Sequence, residues 1–336
     1  MNPTIRRLWL AAAIAMAPIS ATADARDRIT LMVGGAEKII YLPAVLADQL
    51  GYYREQDLDV EIQSEPVGVE AEDELLAGAV DGVVGFYDHT IDLQARGKFI
   101  ESIVLIGQTP GEAVLVSSHL APEIQSPADF KGRTLGVTGL GSSTDFLMQY
   151  LSIKHGVRLR DIALSPVGAG DTFISAMQEG KIDVGMTTEP TISRLLKLGS
   201  AEILVDMRTP ENTREALGGT YPAACLYVQT SWAQTHHDVA RRLATAIVET
   251  LHFIDSHSAA EIAERMPQSY YAGDKAAYVK ALSRGKERYA QDGKMPIDGP
   301  PTVLAVLSGY SKNLKGKTID LSKTYTDEFV NAAARR

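Results

Sequence analysis

The chain is poor in the residues that carry redox, metal and nucleophile chemistry. Cys225 is its single cysteine, so no internal disulfide can form. The seven histidines make no metal pattern. His236 and His237 are adjacent and diverge on a helix, and His252 and His257 stand five apart, a poor ligand spacing. There is no His-Glu-x-x-His, no phosphate-binding Gly-x-x-x-x-Gly-Lys-[Ser/Thr] and no Gly-x-Ser-x-Gly elbow. Basic residues are outnumbered, 33 against 42 acidic, which argues against a nucleic-acid or anionic-membrane partner. Beyond the N-terminus no apolar run is long enough to cross a bilayer.

One apolar run does open the chain. Arg6 and Arg7 precede Leu8 to Ile19, and Ala21-Thr22-Ala23 supplies small residues at a cleavage position before Asp24. The run is too short for a spanning helix, and the order of charge, apolar stretch and small residues is that of an export signal over residues 1–23. The general secretory route is expected, although the arginine pair also raises twin-arginine export. Without this segment the chain keeps 31 basic and 42 acidic residues, a formal charge of −11.

What is present is a weak repeat. Pro66-Val67-Gly68 is followed by Gly78-Ala79-Val80-Asp81, and Pro166-Val167-Gly168 by Gly180-Lys181-Ile182-Asp183. Each copy reads as a strand, an amphipathic helix, a tight turn and a second apolar strand. Elsewhere too strands alternate with helices, which predicts an α/β chain with mainly parallel sheets. Two similar units predict two lobes with a ligand cleft between them. The expected boundaries are 24–115 for the first part of lobe I, 116–225 for lobe II, and 226–336 for a mostly helical return to lobe I. Two strands, near 112–118 and 221–229, would form the hinge.

The candidate ligand residues sit where predicted strands end, since parallel sheets bind ligands beyond their carboxyl ends. Gly139-Leu140-Gly141-Ser142-Ser143-Thr144-Asp145 opens a helix, and its free N–H groups and three hydroxyls suit an anion. Simple N-capping explains the same loop without a ligand. Gly85-Phe86-Tyr87-Asp88-His89-Thr90 offers a ring for stacking and polar contacts. Alternation turns Phe86 and Tyr87 to different sides, and Tyr87 or Asp88 is favoured for the cleft. Glu189, before Pro190, is the lobe II counterpart. It either meets a ligand or favours the positive helix end. Lys38, after the first strand, either neutralises an anion or is a solvated charge. Gln108 and Tyr221 lie near the hinge strands. Asp81 and Asp183 are expected to be structural.

Several segments resemble a known family. Gly51-Tyr52-Tyr53-Arg54-Glu55-Gln56-Asp57-Leu58-Asp59-Val60-Glu61 resembles the opening pattern "GYFxxxGLDVE" of sulfonate/nitrate/taurine-type periplasmic substrate-binding proteins of ABC importers, with Asp57 where the family has Gly. Ala128 to Val137 resembles its "DLKGKxIGV" segment, Gly141 to Asp145 its Gly-Ser-rich helix start, and Glu189-Pro190 its acid-Pro dipeptide. Asp145 falls where related sequences often carry His. The resemblance implies a type II periplasmic binding fold, a monomer docking on a membrane permease and its ATPase, and no cofactor or metal. It implies ligand loops beginning at Ala36, Tyr87, Ser142 and Glu189.

The expected ligand is a small sulfonate or carboxylate held by hydroxyls and helix N–H groups, with Tyr87 over its organic part. If Asp88, Asp145 and Glu189 all face inward, an amine-bearing, thiamine-precursor-like ligand is the reading instead. A dehydratase-like enzyme using Asp88, His89 or Glu189, and a sensor receptor, stay open as alternatives.

Overall fold

The computed structural model describes residues 26–271 and 273–333. The expected leader, residues 1–23, lies outside the described residues.

Two five-stranded sheets frame the molecule. The first holds β1 (Asp27–Val33), β2 (Leu58–Ser64), β3 (Gly82–Phe86), β4 (Ile100–Leu105) and β10 (Ala224–Gln229), in the order β2-β1-β3-β10-β4. The second holds β5 (Glu112–Ser117), β6 (Thr134–Val137), β7 (Ala163–Pro166), β8 (Val184–Thr188) and β9 (Ala201–Met207), in the order β7-β6-β8-β5-β9. Both follow one plan. A leading strand pairs in parallel with two neighbours, β1 with β2 and β3, β6 with β7 and β8. One antiparallel strand then completes each sheet, β10 in the first and β5 in the second. The central strands β3, β5 and β8 are buried throughout, whereas the edge strands β2 and β7 carry exposed and polar positions. That is the pattern of sheets covered by helices on both faces, with polar edges that resist further pairing.

The helices in chain order are α1 (Leu42–Leu50), α2 (Tyr52–Glu55), α3 (Gly68–Ala77), α4 (Asp88–Ala95), α5 (Ser143–Lys154), α6 (Asp171–Gln178), α7 (Thr191–Lys197) and α8 (Pro210–Leu217). They continue with α9 (Thr230–Thr235), α10 (His237–Ser256), α11 (Ala259–Arg265), α12 (Lys275–Gly285), α13 (Gly299–Ser308) and α14 (Glu328–Ala333). The long helix α10 packs one apolar stripe, including Leu243, Ile247 and Leu251, against α1 and α14. Among the described residues no helix is long and apolar enough to cross a membrane.

The hinge differs from the expectation. Glu112–Ser117 is an internal strand of the second sheet and Ala224–Gln229 an internal strand of the first, so boundaries at 115 and 225 would cut through β5 and β10. The chain passes between sheets at 106–111 and 208–223 instead. Apolar runs of this length read as strands, but their sheet membership depends on pairing partners far away in sequence.

The repeated turns are scaffold. Asp81 Oδ2 accepts from Thr30 N at 2.8 Å, and Asp183 Oδ2 accepts from Thr134 N at 2.8 Å. Each carboxylate ties the turn before its strand to the leading strand of its own sheet.

Candidate functional site

One cleft pocket is lined from both sheets. Lys38, after β1, and Phe86 and His89, at the end of β3, face Thr138, after β6, and Thr188, at the end of β8. Tyr41, Glu112 and the Ser142–Thr144 helix start complete it, around a cavity of ≈ 20 Å³, room for about one water, so a solute enters only when the two sides part. The two sides are drawn together. Ile39 N donates to Glu189 O at 3.1 Å across the cleft. At the mouth Gly139 lies so close to Val67 that an added Cβ would stand 2.4 Å from Val67 Cγ1.

Acceptors come from both lobes, Glu112 from β5 of the second sheet and Asp88 with His89 from the first. Glu112 is 1 % exposed, and its Oε2 has no hydrogen-bond partner. Burial, and then the neighbouring Asp88, push its pKa well above the carboxylate range. His89 is buried with Nε2 unpartnered. Its Nδ1 lies 3.4 Å from the Tyr227 hydroxyl and 3.4 Å from Glu72 Oε2. Burial lowers the His89 pKa to about 4, so the ring is neutral at ordinary pH. Asp88 stands beside it, Oδ1 3.9 Å from His89 Nε2. Burial raises the Asp88 pKa to about 7, against the opposing influence of Ser143 and Tyr221. The Ser143 hydroxyl thus lies beside this carboxylate, but neither Ser143 Oγ nor Asp88 Oδ1 makes a well-directed hydrogen bond. A buried acceptor with no donor is costly, and a ligand donor relieves it.

The one cation in the lining is already engaged. Lys38 Nζ donates to Gly34 O at 2.6 Å and Pro66 O at 3.0 Å, and burial lowers its pKa to about 8. Tyr41 and Phe86 meet edge to face with centroids 6.2 Å apart and form the aromatic part of the wall.

The lobe II wall presents hydroxyls, most of them bonded to one another. Ser142 Oγ donates to Gly139 O at 2.6 Å, and Thr144 Oγ1 accepts from Thr138 N at 3.0 Å. Ser143 Oγ and Thr188 Oγ1 are left without partners. Asp145 is engaged within its own loop and helix: Gly141 N and Gln149 Nε2 each donate to it at 2.8 Å. Glu189 is engaged too. Its Oε1 meets Arg208 Nη1 at 2.7 Å, and its Oε2 accepts from Ser193 N at 3.0 Å.

The structure therefore brings Lys38, His89, Ser142, Ser143 and Thr144 into the lining, with Asp88 immediately behind. Tyr87 is turned away: its hydroxyl bonds Thr324 and its ring meets Tyr325, while Phe86 faces the cavity. The strand's alternation allowed one ring inward, and the hydroxyl went to the side where a partner exists. Tyr221 holds Asp88 from behind, donating to Oδ2 at 3.0 Å. Ala36 N is tied to Ser64 Oγ at 3.0 Å, and Gln108 Nε2 donates to Glu287 O at 2.9 Å, both outside the cavity lining. Glu112, Tyr41 and Thr138 escaped sequence reasoning. Glu112 opens an apolar strand, and an acid beginning such a run was the available signal. Among the described residues no group of three or more His, Cys, Asp or Glu side chains is placed to hold a metal ion.

Two matched sheets with their strand ends around one cleft define the periplasmic binding-protein fold. The chain belongs to the NMT1/THI5-like family, whose profile matches residues 40–259. A solved protein of Bordetella bronchiseptica RB50 is 35% identical, with TM-score 0.87 over 92% of this chain and 97% of that one. The periplasmic nitrate-binding protein NrtA of Synechocystis PCC 6803 shares the fold at 12% identity, with TM-score 0.74 over 92% and 88%. Among curated proteins, the 4-amino-5-hydroxymethyl-2-methylpyrimidine phosphate synthase THI13 of Saccharomyces cerevisiae is 29% identical over 166 residues, which are 48% of this chain and 46% of the synthase. The match thus spans about half of that relative's length.

Proposed function

We propose that the protein is the exported solute-binding component of an ABC importer, and that its solute is small and presents N–H donors, as a neutral or cationic amine on a flat ring does. The observation that carries this reading is a pair of buried, unpartnered atoms facing one cavity, Glu112 Oε2 and His89 Nε2, the latter an acceptor in the tautomer whose Nδ1–H faces Glu72 Oε2. An anionic solute, expected from the helix start, fits these charges poorly. Its charge would oppose the ionisation of two buried carboxyls, Glu112 and Asp88, still further, and Lys38 is already bonded to two carbonyls. Phe86 and Tyr41 supply the apolar face for the ring, and Ser143 and Thr188 hydroxyls serve as adaptable partners from the lobe II wall.

The fold supplies the transport step. Solute docks on one wall, the lobes close through contacts such as Ile39 with Glu189, and the closed form is the one a permease would accept. The name of the yeast relatives, a pyrimidine phosphate synthase, favours an aminopyrimidine-like solute, and also a second reading in which the protein transforms it. A thermal-shift screen of aminopyrimidines, aliphatic amines, sulfonates and carboxylates tests the first reading, because stabilisation grows with ligand concentration over Kd. Recovering the bound amine unchanged supports binding; recovering a product supports the synthase reading.

A further inference from the structure

We propose a second ligand site for small planar aromatic acids, in a groove on the flank of the molecule and separate from the cleft. One wall is the α7 segment, with Pro190, Arg194, Lys197 and Leu198, and the other is Tyr271 with the Ala277–Tyr278 face of α12. The groove has a volume of ≈ 300 Å³. Leu198, at its edge, is 57 % exposed, unusual for so large an apolar side chain.

Tyr278 lines the groove, is itself buried, and carries an unused hydroxyl beneath the groove's surface. Burial raises its pKa, so the phenol keeps its proton. The neighbouring Tyr271 hydroxyl, by contrast, donates to Ala263 O at 2.5 Å and Met266 O at 3.2 Å. The two rings lie 5.5 Å apart at 56°, and Lys275 Nζ stands over the Tyr271 ring at 5.6 Å from its centroid, a cation beside the aromatic pair. Two further cations stand at the rim. Lys197 Nζ meets Asp274 Oδ2 at 2.5 Å, and Arg194 pairs with Asp171, both pairs solvent-accessible. Such exposed pairs contribute little and exchange readily. A carboxylate satisfies the Tyr278 donor and draws on either cation, while a flat ring lies against Tyr271, Tyr278 and Leu198.

The groove shares a segment with the cleft: Thr188 lines the cavity and Pro190 the groove. Its walls also come from the two sides that close on each other, α7 beside the second sheet and α12 with the C-terminal helices. An occupant bridges them, so groove and cleft ligands tighten one another reciprocally.

Benzoate is the probe, titrated into the full-length protein while backbone amide shifts are followed by NMR. We expect saturable shifts at Leu198 and Ala277. Loss of the buried donor in Tyr278→Phe, and charge reversal in the exposed Lys197→Glu, should each weaken binding about tenfold. The proposal is overturned if shifts do not saturate, if they fall only on cleft residues such as Ser143 and Thr188, or if both variants bind as wild type does. The titration is run without cleft solute, and groove occupancy is read from Leu198 and Ala277, cleft occupancy from Ser143 and Thr188.

Discussion

The Tyr221 hydroxyl donates to Asp88 Oδ2 at 3.0 Å, joining residues 133 positions apart and holding one carboxylate oxygen while the other is unpartnered. Tyr221→Phe strips that support from a buried acid, and should cost about 1–3 kcal/mol in urea unfolding where Asp88 is ionised. The cost should shrink in acid. Asp88 has its pKa raised from 3.8 to about 7 in the folded protein. Between those values the folded state holds a proton that the unfolded chain has released, so this group's contribution to stability falls as pH rises through the window. The stability of wild type relative to Asp88→Asn should therefore decline from pH 4 to 7 and level off above. His89, lowered from 6.5 to about 4, acts in the opposite sense, losing stability as pH falls between those values, but it is common to both proteins.

Glu112→Gln separates binding from folding. The raised pKa of Glu112 means that ligand-free stability falls as pH rises above its unfolded value toward its folded one. The Gln variant should lose less stability over that rise. It should also bind an amine solute at least about tenfold more weakly, since Gln cannot ionise against the bound amine as Glu112 can. Calorimetry on the ligand-free and titrated variant reads both effects.

Closure depends on the absence of a side chain. A methyl at residue 139 would stand 2.4 Å from Val67 Cγ1, so Gly139→Ala should prop the mouth open. Solute affinity should drop, and small-angle scattering of the loaded protein should show a larger radius of gyration than wild type. Val67→Ala in the same chain should restore both.

Asp57 sits in the left-handed backbone region at φ 55°, where the resembling family has glycine. A non-glycine residue there is strained by about 1 kcal/mol or more. Its side chain is exposed and its backbone carbonyl, which accepts from Arg242, is kept by any residue. Asp57→Gly should raise the unfolding free energy by up to about 1 kcal/mol, offset in part by glycine's freedom in the unfolded chain. Solute affinity should stay unchanged.

Much of the frame was legible because it is local. Periodicity marked the alternating strands and helices, and the repeat located two turns whose aspartates, Asp81 and Asp183, bind the backbone of Thr30 and Thr134 in matching fashion. The strand ends pointed to Lys38, His89 and the Ser142–Thr144 start, all now in the lining. What was hidden depends on distant partners. Thr324 decides which way Tyr87 turns, and Arg208 occupies Glu189. Glu112 belongs to the wall because β5 pairs with β8, which sets Glu112 beside Thr188 far along the chain. Charge balance in the cavity, and with it the preferred solute, follows from those pairings rather than from any motif.

The central claim, that the cleft takes a donor-bearing solute, is tested most directly by titrating a matched pair into the protein by calorimetry: 4-aminopyrimidine and benzenesulfonate, each at pH 8, above the Asp88 titration. The amine should bind with one-to-one stoichiometry, lose affinity in Glu112→Gln and weaken as the pH falls below 7, while the sulfonate gives no saturable heat. Saturable one-to-one binding of the sulfonate with no binding of the amine would contradict the account.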